Sequence, residues 1–324
     1  MQKLKIGLVG VGKLGQYHCN ALSQLAEAEL AGIHDTDAQI SAQIAATYRC
    51  QNFSSLDALI NAVDAVGVIV PTTGHLAVAS RALQAGKPVF VEKPIAANVA
   101  QARELVELAA KKKLPLQVGH IERFNPAIRA LAGIDLQPQF IESHRLAPFD
   151  PRGTDVAVVL DLMIHDIDII LSMVNAKLEK LDASGVAVVS DQVDIANVRL
   201  QFDNRCVANI TASRISQKKM RKMRLFQKDS YISIDFLQRF SEIYRLQEQS
   251  DSTSSSMIFG QIEKASRPKQ IVYEKPPVPE TDAMRSEWQS FIAAVNNRTR
   301  PVVSGEDGLR ALEVAAEIIR NVER

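Results

Sequence analysis

The chain has 324 residues, and its 38 lysines and arginines nearly balance its 37 aspartates and glutamates, which leaves a formal net charge of +1. The length suggests two domains. A composition with 46% hydrophobic and 23% charged residues is that of a globular protein rather than a disordered one. The balanced charge offers no basic excess for nucleic-acid phosphates, and no apolar run is long enough to span a membrane.

The cysteines are few and scattered. Cys19, Cys50 and Cys206 are an odd number and include no C-x-x-C pair. This pattern argues against a disulfide framework and against a zinc cluster, so we expect no bound metal and a reducing compartment. The first residues lead directly into a strand pattern, without the apolar segment and cleavage site of a secretory signal. We therefore expect a cytoplasmic protein.

The N-terminal part of the chain alternates apolar strands with helices. Strands are predicted at 3–9, 29–34, 65–70, 88–91 and 116–119, and helices up to about residue 26 and at 38–47, 56–61, 75–85 and 98–113. Strands that alternate with helices of about ten to fifteen residues indicate βαβ units and a parallel sheet. We predict an α/β Rossmann dinucleotide-binding domain over residues 1–121.

The pattern then changes to short strands with no helices between most of them. They are predicted at 140–145, 183–189, 195–202, 207–213, 220–227 and 231–236, with tight turns at Asp203-Asn204 and Lys228-Asp229. A polar loop is expected at 251–256, and helices at 283–297 and 305–322. We predict an α+β domain with an open, mostly antiparallel sheet over residues 122–324, whose last helices could pack back on the first domain.

A glycine-rich motif, Gly10-x-Gly12-x-x-Gly15, directly follows the first predicted strand and opens a helix. In a dinucleotide-binding turn the first glycine permits the tight turn, the second lets the backbone approach a pyrophosphate, and the third lets helix and strand pack closely. The helix N-terminus then supplies N–H groups for the phosphates. An ordinary strand-to-helix turn is the alternative, but the strand, the helix and a following acidic residue favour a bound dinucleotide.

That acidic residue is Asp35, which ends the second predicted strand twenty residues after Gly15. A carboxylate at this place accepts hydrogen bonds from ribose hydroxyls and repels a 2′-phosphate. Its neighbours His34 and Thr36 add no fixed positive charge that could pair with such a phosphate. The motif therefore favours NAD over NADP.

Two further groups suit catalysis. Glu92-Lys93-Pro94 follows the predicted strand 88–91, at the sheet edge where α/β folds bind ligands, although a lone loop lysine is more often a solvated charge. Asp161 and His165 are four residues apart in the apolar stretch 156–174, a spacing that puts a carboxylate and an imidazole on one helical face. Such a pair can remove a hydroxyl proton. A core histidine beside a helix-capping aspartate is the alternative.

Taken in chain order, these motifs and the segment 70–75 (VPTTGH) resemble the Gfo/Idh/MocA family of oxidoreductases, over essentially the whole chain. The resemblance implies a Rossmann domain followed by an open antiparallel sheet that often makes dimer or tetramer contacts. It also implies NAD-dependent oxidation of a secondary alcohol on a sugar. The stretches 120–126 and 165–168 look most like the nucleotide-sugar 3-dehydrogenases of that family.

The resemblance also implies roles for single residues. Lys93 would hold and polarise the hydroxyl, His165 would be the general base and Asp161 would tune it, with Arg123 and Asn125 as further substrate contacts. The cofactor contacts implied are Gly10, Gly12, Lys13, Leu14, Gly15, Asp35, Pro71, Thr72, His75, Glu92 and Lys93. The family often has a glycine between its catalytic Asp and His, whereas this chain has Leu-Met-Ile, which puts the pocket wall and substrate size in question.

Alternatives stay open at this point. The basic cluster 218–224 is expected to be a solvated strand end or subunit contact, with the diphosphate of a nucleotide sugar as a second possibility. The chain could instead be an NAD(P)-sensing regulatory protein that has lost its chemistry, or an NAD-dependent glycosidase. The presence of Lys93, Asp161 and His165 together favours an enzyme.

Overall fold

A computed structural model describes residues 3–150, 156–248, 257–262 and 269–322. The chain divides into two compact units. The first comprises Met1–Phe124 and Thr281–Ala316, and the second comprises Asn125–Glu280 and Glu317–Arg324.

A six-stranded parallel sheet forms the centre of the first unit. Its strands are β1 (Leu4–Val9), β2 (Ala28–His34), β3 (Gln51–Asn52), β4 (Ala65–Val68), β5 (Val89–Glu92) and β6 (Leu116–Gly119), in the spatial order β3-β2-β1-β4-β5-β6. The connecting helices are α1 (Lys13–Ser23), α2 (Ala38–Tyr48), α3 (Leu56–Ala62), α4 (His75–Gln84) and α5 (Val99–Lys112). This is the strand order of a Rossmann sheet, so the predicted α/β fold is confirmed. Only β3 was not predicted, because it is two exposed polar residues long.

A nine-stranded sheet forms the second unit. Its helices among the described residues are α6 (Pro126–Arg129) and α7 (Ile164–Met173), and its strands are β7 (Phe140–Leu146), β8 (Leu178–Val186), β9 (Ile195–Phe202), β10 (Val207–Ser213), β11 (Met220–Gln227), β12 (Ser230–Asp235), β13 (Phe240–Glu248), β14 (Met257–Ile262) and β15 (Lys269–Glu274). The spatial order is β14-β15-β13-β12-β11-β7-β10-β9-β8, with β7 and β10 parallel and the other neighbours antiparallel. The predicted mostly antiparallel sheet is confirmed, as are the tight turns after β9 and β11.

The last strands of this sheet were missed. β13 to β15 carry charged or amide side chains among the apolar ones, so their apolar alternation is weak in the sequence. β13 forms a strand because it pairs with β12, and β15 forms one because it pairs with β13. The polar loop expected at 251–256 lies outside the described residues.

The helical stretch predicted over 156–174 begins with an irregular turn. Residues Val159–Met163 form a π-helical turn that continues directly into α7. Such turns hold one extra residue and recur at functional sites. Hydrophobic periodicity does not distinguish a π-turn from an α-turn, so the sequence indicated a helix without this feature.

The predicted C-terminal helices are present as α8 (Ala283–Asn297) and α9 (Gly305–Val322). α8 buries Trp288 and Phe291 with Phe90 in the core of the first unit. Gly67 on β4 leaves room for the indole, because a Cβ there would lie 2.8 Å from its ring. None of the helices formed by the described residues is long and apolar enough to cross a membrane.

The strand predicted at 183–189 is wrong in both bounds, because β8 begins at Leu178 and ends at Val186. Asp194 turns the chain after that end. The buried Asp194 carboxylate accepts hydrogen bonds from three consecutive amides, those of Val188, Val189 and Ser190, at 2.7 to 3.1 Å. It also accepts one from the Ser190 hydroxyl at 2.7 Å. Burial acts to raise the pKa of Asp194, but these hydrogen bonds outweigh it and lower the pKa to about 2.

We expect Asp194→Ala to destabilise the second unit by about 2–4 kcal/mol, since buried amides lose their acceptor. Because the unfolded carboxyl has its ordinary pKa of 3.8, the stabilisation is present above that value and is lost as the pH falls towards 2. Urea unfolding at neutral and acid pH measures both effects. Asp191→Ala, at an exposed position in the same loop, is the control, and equal loss in the two variants would contradict the assignment.

Candidate active site

The turn after β1 is shaped by close backbone approaches. Gly10 has a φ of +89°, and a Cβ on it would lie 2.6 Å from the carbonyl oxygen of Ile69. A Cβ on Gly15 would collide with the carbonyl oxygen of Gly10. At Gly12, by contrast, an added Cβ would meet no atom within 4 Å, so the backbone is open there. The structure thus distinguishes the three glycines, because Gly10 and Gly15 allow close backbone approaches whereas Gly12 leaves the backbone open.

The N-terminus of α1 is suited to an anion. Gly12 is its N-cap residue, and no side chain among the described residues caps the helix there. The first turn also carries no acidic residue. The first amides of a helix are left without intrahelical partners and carry a partial positive charge, which favours a phosphate group.

Asp35 lies just beyond β2 and is linked to the same turn. One carboxylate oxygen accepts a hydrogen bond from the Val11 amide at 2.7 Å, and the other accepts from the Asp37 amide at 3.0 Å. A carboxylate has about four acceptor positions, so these bonds leave capacity for ribose hydroxyls. The open backbone at Gly12, the uncapped helix and this carboxylate fit the diphosphate and ribose of NAD.

His75 connects the segments that follow β4 and β5. Its Nδ1 lies 2.9 Å from the carbonyl oxygen of Pro94, and its Nε2 lies 3.0 Å from that of Val70. Burial lowers the pKa of His75 below its ordinary value, against the opposing effect of its contacts with these carbonyl oxygens. Pro71 and Thr72 lie in the segment that His75 holds, at the start of a single 3₁₀ turn.

Glu92 and Lys93 occupy different environments at the end of β5. Glu92 is buried, with Oε1 3.0 Å from Nε2 of His18 and Oε2 accepting from the Lys93 amide at 2.9 Å. Lys93 is half-buried, and its peptide bond to Pro94 is cis. His18, which belongs to no motif in the sequence, lies three residues after Gly15 on the buried face of α1.

In the second unit, Asp161 and His165 lie in one continuous helical segment. Asp161 is in the π-turn and His165 is in the first turn of α7, and both are half-buried. The extra residue of the π-turn changes the direction of Asp161 from that of a regular helix. Sequence spacing alone therefore did not define the geometry of this pair.

The residue after His165 anchors the start of α7. The buried Asp166 carboxylate accepts hydrogen bonds from Nε of Arg145 at 2.6 Å and from the Ser143 hydroxyl at 2.9 Å. Arg145 is itself buried, and its guanidinium lies 5.6 Å from the centre of the Phe236 ring. A buried, doubly bonded pair of this kind holds its helix firmly, because breaking it leaves an uncompensated charge.

The other proposed substrate residues have structural contacts. Asn125 caps α6 by accepting from the Ala127 amide at 3.0 Å, and its amide nitrogen donates to the Phe236 carbonyl at 3.2 Å. Arg123 is half-buried in the 3₁₀ turn Ile121–Phe124. Their roles in substrate binding stay predictions.

The basic cluster 218–224 is divided by the alternation of β11. Lys222 pairs with Asp235 at 3.2 Å, and Arg224 pairs with Glu142 at 2.5 Å. Met223, between them, is buried on the opposite face. Within the described ranges, no three His, Cys, Asp or Glu side chains group to hold a metal ion.

Comparison with known proteins identifies the family. Residues 4–120 match the oxidoreductase family with an NAD-binding Rossmann fold, and residues 139–232 match the GFO/IDH/MocA C-terminal domain. A UDP-N-acetylglucosamine 3-dehydrogenase from Acidithiobacillus ferrooxidans is 42% identical over 246 residues, which are 75% of this chain and 78% of that protein. The chain belongs to the Gfo/Idh/MocA family.

Other relatives extend this likeness. The solved structure of UDP-N-acetylglucosamine 3-dehydrogenase GnnA from A. ferrooxidans superposes with a TM-score of 0.88 and 35% identity, covering 100% of this chain and 99% of that chain. An inositol 2-dehydrogenase from Rhizobium meliloti is 26% identical over 336 residues, covering 98% of this chain and 97% of that protein. A scyllo-inositol dehydrogenase from Lactobacillus casei, solved with NAD(H) and scyllo-inositol, has a TM-score of 0.78 at 21% identity and covers 99% of this chain and 97% of that chain, which shows a shared fold.

Membership of the Gfo/Idh/MocA family confirms two predictions, namely that the chain is an oxidoreductase and that its cofactor is NAD. The observed glycine turn and Asp35 are the parts of the structure that fit this cofactor.

We expect Asp35→Ser to reduce the preference for NAD over NADP, because it removes the charge that repels a 2′-phosphate. The ratio of the NADP dissociation constant to the NAD dissociation constant, measured by calorimetry, should fall about tenfold or more. Asp37→Ser, which changes a helix cap two residues away, is the matched control. Unchanged discrimination in Asp35→Ser would contradict the assigned role.

Proposed function

We propose that this chain is an NAD-dependent dehydrogenase that oxidises the C3 hydroxyl of UDP-N-acetylglucosamine. The observation that carries the proposal is the 42% identity to the A. ferrooxidans enzyme of that name, across 78% of its length. The superposition on the solved A. ferrooxidans structure supports it over the whole chain.

His165 and Asp161 are the proposed proton-transfer pair. A ring nitrogen of His165 takes the proton of the C3 hydroxyl, and Asp161 stabilises the imidazolium that forms. Bound NAD supplies the acceptor for the hydride that leaves C3. The Arg145–Asp166 pair holds the first turn of α7, so His165 is positioned before the substrate arrives.

Lys93 is the proposed electrostatic group. Its ammonium donates a hydrogen bond to the C3 oxygen, and this bond strengthens as the proton leaves and negative charge develops. We assign Arg123 and Asn125 to further polar groups of the substrate. We assign cofactor contacts to Gly10, Gly12, Lys13, Leu14, Gly15, Asp35, Pro71, Thr72, His75, Glu92 and Lys93.

The direct test is NADH formation by the purified chain with NAD and four candidates, which are UDP-N-acetylglucosamine, UDP-N-acetylglucosaminuronate, myo-inositol and glucose. An aminotransferase with glutamate removes the ketone and draws the reaction forward. We expect NADH with UDP-N-acetylglucosamine. Sugar release without net NADH would indicate the glycosidase instead, and tight NAD binding with no turnover on any candidate would favour the sensor.

Variants test the assigned roles in the same assay. Lys93→Met and His165→Gln should each lower kcat about a hundredfold or more, because each removes a group that acts in the transition state. NAD affinity should stay within about twofold in His165→Gln, because His165 is not an assigned cofactor contact, and should fall far less than kcat in Lys93→Met, because Lys93 is only one of many assigned cofactor contacts. Lys111→Met, at an exposed position of α5, is the control, and turnover retained in Lys93→Met would refute its role.

We propose that the chain forms a homodimer or homotetramer through the face of the nine-stranded sheet that carries a row of aromatic rings. The rings succeed one another across five neighbouring strands at centroid distances of 5.0 to 5.8 Å, and they are Phe140, Phe226, Tyr231, Tyr244 and Tyr273. None of them is fully buried, whereas residues such as Leu225 and Ile232 on the opposite face are. A contiguous aromatic surface beside paired charges has the composition of a protein interface.

We expect light scattering to give a wild-type mass of at least twice the 35.6 kDa of one chain. Tyr244→Glu should weaken the assembly about tenfold or more, because the new carboxylate would be buried without a partner. Val302→Glu, at an apolar position of the first unit that is 59% exposed, should leave the mass unchanged. A wild-type monomer would refute the proposal.

We also propose a cytoplasmic location. The thiols of Cys19 and Cys206 are free and buried, and burial raises their pKa to about 12 and about 11 respectively. Unpaired cysteines of this kind suit a reducing compartment.

A further inference from the structure

Three polar groups lie in line inside the first unit, next to Lys93. The indole N–H of Trp288 donates to Nδ1 of His18 at 3.0 Å. Nε2 of His18 lies 3.0 Å from Oε1 of Glu92. The side chains of Trp288 and His18 are fully buried, and Glu92 is 7% exposed. We call these three residues the buried relay.

The chemistry of the donors defines the direction of the buried relay. An indole nitrogen can only donate, so Nδ1 of His18 must be the acceptor and carries no hydrogen. The hydrogen of the ring is then on Nε2, which donates to the Glu92 carboxylate. Trp288 therefore selects the one neutral tautomer of His18 that can bind Glu92.

The buried relay ends on the backbone of Lys93. The second oxygen of Glu92 accepts the Lys93 amide hydrogen at 2.9 Å. Burial acts to raise the pKa of Glu92, but the hydrogen bonds from His18 and from the Lys93 amide outweigh it and hold the pKa below its ordinary value. Glu92 is thus a carboxylate at neutral pH, which makes both of its hydrogen bonds charge-assisted.

The surrounding packing holds the relay in one place. The indole of Trp288 stacks on Phe90 at a centroid distance of 4.4 Å, and the His18 ring meets Phe90 edge-on at 5.5 Å. Gly119 on β6 leaves the space that the carboxylate fills, since a Cβ there would lie 2.8 Å from Oε1. Burying a carboxylate is unfavourable unless both of its oxygens are hydrogen-bonded. Apolar side chains at these positions would therefore make the fold at least as stable as the three polar ones do. A role in positioning explains why the polar groups are there.

We propose that Trp288 and His18 are positioning residues for Lys93, acting through Glu92 on the Lys93 backbone. The inference rests on the proposed function, in which Lys93 contacts the substrate hydroxyl. Neither residue touches the reacting atoms. Their effect is to restrict where the Lys93 backbone lies. Small misplacements of a catalytic group lower the reaction rate strongly.

Trp288→Phe is the mildest test, because it keeps an aromatic ring against Phe90 and removes the N–H donor. We expect kcat to fall about five- to tenfold, the size of one lost hydrogen bond. KM and the dissociation constant of NAD should stay within about twofold, since ground-state contacts are unchanged. Phe291→Leu, a packing change in the same aromatic cluster, is the control for lost stability and should leave kcat unchanged.

Two substitutions of His18 separate hydrogen bonding from packing. His18→Leu removes both bonds and should lower kcat more than Trp288→Phe does. His18→Gln places an amide N–H near the position of Nε2, so it should restore kcat to within about threefold of the wild type. The chain has a single tryptophan, so a blue shift of its fluorescence in His18→Leu reports directly that the Trp288 hydrogen bond is lost.

Hydrogen exchange supplies a readout that needs no turnover. In the full-length protein with and without NAD, we expect the Lys93 amide to exchange about tenfold faster or more in Trp288→Phe and His18→Leu, and at the wild-type rate in Phe291→Leu. Exchange and kcat that change no more in Trp288→Phe than in Phe291→Leu would overturn the inference. So would a loss of NAD affinity equal to the loss of kcat. Lys93→Met, measured in parallel, tests the proposed function separately.

Discussion

The burial of a carboxylate at the end of β5 is the constraint around which the first unit is arranged. Glu92 cannot lie in an apolar interior unless both oxygens are bonded, and its partners come from α1 and from the adjoining backbone. α8, nearly two hundred residues later in the chain, supplies the tryptophan that orients the histidine partner. Helix, strand and C-terminal segment are therefore linked by one polar network within an otherwise apolar core.

The second unit has the same arrangement, a buried and hydrogen-bonded carboxylate, built from different residues. Asp166 is adjacent in sequence to His165, as Glu92 is to Lys93, and it is buried with Arg145 and Ser143 as partners. In each unit a buried, fully bonded carboxylate thus holds the backbone beside a residue that we assign to catalysis. Charge-assisted bonds in a low-dielectric interior are strong and directional, so they restrict a backbone more tightly than apolar packing does.

Much of the fold could be predicted because local patterns are strong where side chains are buried on both faces. The strands of the first unit are short apolar runs between turn residues, and the glycine motif reports backbone approaches that a side chain would block. Prediction failed where hydrogen-bonding partners, rather than the apolar pattern of the residues, decide the structure. β13 to β15 are strands because they pair with neighbouring strands. β8 ends where the Asp194 carboxylate accepts hydrogen bonds from three backbone amides.

The sequence by itself determined the fold class, the dinucleotide-binding turn and the acidic residue that favours NAD, because each depends on residue type at a fixed local spacing. The proposed catalytic residues came from the resemblance of the motifs to the Gfo/Idh/MocA family. Tertiary structure alone decided the rest. It placed a π-turn at Asp161, engaged Glu92 with His18 instead of leaving it on the surface, and paired Asp166 with Arg145. The two side-chain contacts join residues that are 74 and 21 positions apart, and no local pattern encodes which buried donor meets which acceptor.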